Sequence, residues 1–140
     1  MPGLPSRLDV ARLEFLSNTG MAREFDDHLE KIMGMYVAQG IEPNNQQRER
    51  WGMLRMNAYR ARLAGLVSAA DCLAETSKPC DMYDFADERS RLADYFTEIR
   101  DLAGIPGVLA PGDSMGPVLD SILSRFTLGN LRYFERSIGL

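Results

Sequence analysis

A helical pattern running without a break from about Asn45 to Thr76 restricts the folds open to this chain more than any other feature. At about 100° per residue, Trp51, Leu54, Ala58, Ala61, Gly65, Ala69 and Cys72 share one arc, and Met53, Met56, Leu63, Val67 and Ala70 share another. A helix apolar on two sides packs against more than one neighbour, so this segment is expected to be the central element. Asn44 or Asn45 can cap its start, and Pro79 stands shortly after its end. Its small residues, Ala61, Ala64, Gly65, Ala69 and Ala70, would let another helix approach closely.

Shorter helices are expected around it. Ser6 can cap a helix over about 6–17, with Asp9 three residues on, and with Leu8, Leu13 and Leu16 facing one way. A second helix spans about 21–39, its apolar face made of Met21, Phe25, Leu29, Ile32, Met33 and Tyr36, with Gly40 as its stop. A fourth runs from about Tyr83 to Ala103, capped by Asp81 or Asp84. Its narrow stripe is Phe85, Leu92, Phe96, Ile99 and Ala103. The Pro/Gly-rich segment 104–113 is a loop, but Ile105, Val108 and Leu109 predict that it packs down. A fifth helix over about 115–128 is capped by Ser114, has Pro117 in its first turn, and buries Val118, Leu119, Ile122, Leu123 and Phe126. A short sixth follows from Asn130 to about Ile138; with Leu131, Tyr133 and Phe134 it either closes the core or forms a homodimer seam. No strand alternation of useful length occurs. The expected fold is all-α, a compact bundle of five to six helices with a long central third helix, in one domain over 1–140.

Composition narrows the class. At 140 residues, 45% hydrophobic and 26% charged, the chain is long and apolar enough to bury a real core. No apolar run is long enough to span a bilayer, and Met1–Arg7 lacks a basic region followed by an apolar stretch, so a cytoplasmic protein is expected. Cys72 and Cys80 form no Cys-x-x-Cys pair and are expected as free thiols, although a bridge across a turn is geometrically open.

Catalytic patterns are missing. His28 is the one histidine, at the edge of the second helix's apolar face, with Glu24 a turn earlier as an expected partner. A haem or di-iron centre in a bundle requires more histidines or a Glu-x-x-His pair. There is no P-loop and no G-x-G-x-x-G. No catalytic residue, cofactor or metal ligand is therefore expected. A carboxylate-only metal site would have to use Glu24, Asp26, Asp27 and Glu30, or Asp81, Asp84, Asp87 and Glu88; both groups read more simply as solvated faces and helix-start acids.

Charge segregation is the most informative functional feature. The net charge is −4, yet residues 44–70 carry five arginines against one glutamate. Residues 71–120 carry eleven acids against four bases. Arg48, Arg55 and Arg62 recur every seven residues, about two full turns, and project from one side with Tyr59 among them. Further along, the same side becomes Leu66, Ala70 and Leu73, so the stripe ends where the helix becomes buried. On the fourth helix, Asp84, Asp87, Asp94, Glu98 and Asp101 oppose the apolar stripe. Arg48, Arg55, Tyr59 and Arg62 are the candidate partner-binding residues. They suit a non-enzymatic interaction module docking on an acidic protein surface: a small adaptor, assembly factor or inhibitor of a larger complex, of a kind that phage or plasmids encode. A nucleic-acid-associated regulator using the same stripe is the alternative, opposed by a pI near 5.0 and the near absence of lysine. A carboxylate-only enzyme comes third. The leading reading requires the stripe's guanidinium groups to be free of neighbouring carboxylates.

Overall fold

A computed structural model describes residues 3–75 and 85–125, with side chains for 3–70 and 94–121. Five α-helices occur among them: α1 (Arg7–Asn18), α2 (Ala22–Ala38), α3 (Asn45–Glu75), α4 (Phe85–Ala103) and α5 (Met115–Arg125). No strand occurs among the described residues. The fold is all-α with a long third helix, as the periodicity predicts. The expected sixth helix, the Asp81 or Asp84 cap, the two cysteines and Leu73 lie outside the described residues or side chains.

Residue contacts group the chain into two compact units, Met1–Leu63 and Ala64–Leu140. The first unit is built by local signals that the sequence carries. Ser6 caps α1 in a full capping box: its hydroxyl accepts the Asp9 N–H at 3.3 Å, and Asp9 Oδ2 accepts the Ser6 N–H at 2.9 Å. Those Ser6 hydrogen bonds, backbone first, hold the Asp9 carboxyl below its ordinary value. Asn44 and Gln47 form the corresponding pair on α3: Gln47 N–H donates to Asn44 Oδ1 (2.8 Å) and Asn44 N–H to Gln47 Oε1 (2.9 Å). Gly40, at φ +65°, ends α2 in the left-handed region that glycine adopts without strain.

Leu13 and Leu16 of α1, Phe25, Leu29, Ile32 and Tyr36 of α2, and Trp51 and Ala58 of α3 form the core of this unit, with Met33 and Leu54 against it. The Tyr36 and Trp51 rings meet edge to face, with centroids 5.6 Å apart. Gly20, in the α1–α2 turn at φ +70°, sits so close to α3 that an added Cβ would lie 2.9 Å from the Ala61 carbonyl carbon and the Arg62 nitrogen. The small side chain of Ala61 admits this approach, which is made by the α1–α2 turn and not by a helix as expected.

In the second unit, Leu66, Val67, Ala70, Ile99, Leu102, Val108 and Leu119 are buried. The loop after α4 does pack down: Val108 is buried and Ile105 and Leu109 are half-buried. Five sequence expectations are corrected. Leu8 does not face the core with Leu13 and Leu16; it is 82% exposed, because its helical angle differs from theirs by about 80–140°. Met53 and Val118 are exposed rather than buried, and Met21 precedes α2 and is partly exposed. At α5 the Met115 N–H donates to the carboxylate of Asp113 at 3.0 Å, so Asp113 supplies a cap that Ser114 was expected to give.

Candidate interaction site

Functional reasoning from sequence centres on the first half of α3, and that face now has neighbours. The connection between α2 and α3 is short, so the two helices form an antiparallel hairpin. Gln47 Nε2 donates to the Tyr36 hydroxyl at 2.8 Å near the turn. Further out, Arg55 Nε donates to Asp26 Oδ1 at 3.0 Å, and the Tyr59 hydroxyl donates to Asp26 Oδ2 at 2.7 Å. One carboxylate thus ties two members of the stripe to α2. Partial burial and the bond to Asp26 push the Tyr59 phenol up to about 12.

Arg48 stands 3.6 Å from Glu42, whose side chain is 91% exposed. Arg62 also has an interacting neighbour. The requirement that the stripe be free of carboxylates therefore fails at both Arg48 and Arg55. What remains is a set of exposed pairs: the Arg55 and Asp26 side chains keep 46% and 37% of their exposure. Pairs of that kind contribute roughly 0–1 kcal/mol and exchange readily with a competing carboxylate.

Between the hairpin helices lies an open groove of about 490 Å³. Its floor is Leu29, Met33, Trp51 and Gly52; its rims are Asp26 and Glu30 on α2, and Arg48 and Arg55 on α3. Sequence analysis placed the arginines on this face and missed both the groove and the acidic wall opposite. The available signal was the short α2–α3 connection, which makes residues equidistant from it meet.

His28 is not paired with Glu24 as expected. Its Nε2 donates to the backbone carbonyl of Asp9 at 3.0 Å, joining α2 to α1. Among the described residues no three His, Cys, Asp or Glu side chains converge to hold a metal ion. Asp81, Asp84, Asp87 and Glu88 lie outside the described side chains. Among the described residues, no helix is long and apolar enough to cross a membrane. No protein-family model, curated protein or solved structure matches the chain.

Proposed function

We propose that this protein is a non-enzymatic interaction module, acting in the cytoplasm as a small adaptor, assembly factor or inhibitor, that engages an acidic partner surface through the Arg48, Arg55, Tyr59 and Arg62 face of α3. One observation carries the proposal. The basic half of α3 borders an open groove, and the carboxylates that pair with Arg48 and Arg55 there keep 91% and 37% of their side-chain exposure, so a partner's acids can compete for both arginines.

The test compares affinity capture from the native host by the wild type and by a variant with Arg48, Arg55 and Arg62 all changed to alanine. A protein retained by the first and lost by the second is the expected result. Equal recovery by both, or recovery by neither, overturns the proposal. If the retained species is instead an oligonucleotide whose binding falls steeply with salt, the nucleic-acid reading takes its place.

A further inference from the structure

α1 is apolar on two sides, and its outer side is left uncovered. Leu8 and Phe15 are 82% and 56% exposed, although the same helix already buries Leu13 and Leu16 on its inner side. At about 100° per residue, Leu8, Ala11 and Phe15 lie within about 60° of arc, turned away from Leu13 and Leu16 by about 80–160°. Their spacing, three residues and then four, is that of the a and d positions of a coiled-coil seam. Leu4, also exposed, stands four residues before Leu8 and extends the row past the Ser6 cap.

We infer that this outer face of α1 receives α1 of a second copy of the protein, running antiparallel about a two-fold axis. The inference goes beyond the arginine reading of α3 and does not rest on it. Self-complementarity selects this occupant. In the antiparallel register Leu8 of one copy lies over the small Ala11 of the other, and Phe15 lies over Leu4. The residues beside the seam set the orientation. Arg7 of each copy meets Glu14 of the other, giving two pairs of opposite charge, and Arg12 meets the uncharged Pro5. A parallel pair would instead set Arg7 against Arg12. Arg7 has no ion pair among the described residues, and Glu14, bonded to Arg50, stays partly exposed. A lipid surface fits less well: Asp9 and Glu14 offset Arg7 and Arg12, so α1 brings no net charge to anionic headgroups. With 12 residues, α1 is too short to bury the ~1,200 Å² at which stable interfaces begin. The dimer is therefore weak and forms as concentration rises.

Sedimentation and light scattering from about 10 µM to about 1 mM test this, the range open to a small interface. The wild type should pass from monomer to dimer across it. Leu8→Gln and Phe15→Gln change exposed side chains and keep the fold, and each should stay monomeric at the highest concentration. Two controls should dimerise as the wild type does: Met53→Gln, at an exposed methionine of α3, and the triple alanine variant of Arg48, Arg55 and Arg62. Arg7→Glu puts like charges beside the seam at both ends and should weaken dimerisation about tenfold.

A wild type that remains monomeric throughout overturns the inference. So does a dimer that survives Leu8→Gln and Phe15→Gln, because its contact then lies elsewhere. A dimer that Arg7→Glu strengthens has parallel helices, which also sinks it. If the wild type instead sediments with mixed phosphatidylserine and phosphatidylcholine vesicles and Leu8→Gln does not, a membrane is the occupant and the inference falls.

Discussion

Asp26 decides how the α3 face behaves, because it accepts from both Arg55 and Tyr59. Asp26→Asn keeps the shape and removes the charge, so the ion pair is lost and the bond to the phenol weakens. The expected cost is about 1–2 kcal/mol in denaturant unfolding, the sum of one exposed pair and one charge-assisted hydrogen bond. The same contact has a pH signature. Tyr59 titrates at about 12 in the folded protein, against an ordinary value near 10 when unfolded. A raised value means the neutral phenol is favoured by folding. Its contribution is complete below pH 10 and is lost as pH rises through 12. Absorbance titration of the folded protein should find a tyrosine ionising near pH 12, and Asp26→Asn should move that transition down. If Asp26→Asn leaves the tyrosine titration of the folded protein unchanged, the Tyr59–Asp26 bond is not formed in solution. Sequence reasoning saw Asp26 only as one acid in a run, because its partners are 29 and 33 positions away and only the hairpin register brings them near.

Helices were legible at this scale because caps and periodicity are local signals. Ser6 with Asp9, Asn44, and Gly40 mark real boundaries. Faces were less legible where a leucine or methionine sits on the solvent side of an otherwise well-patterned helix, as at Leu8 and Met53. Hydrophobicity alone does not say which arc is covered when no neighbour is known. Two glycines in the first unit give opposite predictions. Gly20→Ala adds a Cβ at φ +70° against the α3 backbone, so it should destabilise by at least about 2 kcal/mol. Gly52→Ala, in mid-helix with open space around it, should stabilise by about 0.5–1 kcal/mol. Thermal or urea unfolding of the two variants checks both signs. If Gly20→Ala is neutral, the α1–α2 turn does not sit against Ala61 as described. The core offers a third comparison: Phe25, with no exposed surface, should lose about 3–5 kcal/mol on truncation to alanine.

The chain as a whole is acidic, while the first half of α3 is basic, and the two facts compete when a polyanion approaches. At pH 7 the net charge of −4 produces a field that repels nucleic acid at long range. Close up, the α3 arginines face a rim that also holds Asp26 and Glu30. A polyphosphate backbone therefore meets both unfavourable long-range charge and two carboxylates beside the cations it would contact. No retention of single-stranded or duplex oligonucleotide is expected at pH 7, even at low salt. Below the pI of about 5.0 the net charge becomes positive and weak, sequence-indifferent retention should emerge. It should be nearly the same for Arg55→Ala, because it reflects total charge rather than the stripe. Electrophoretic mobility shift at the two pH values separates the cases. Retention at pH 7 that Arg55→Ala removes and salt steeply weakens would mean that the local stripe outweighs the whole-molecule field. The partner would then be nucleic acid and not an acidic protein surface.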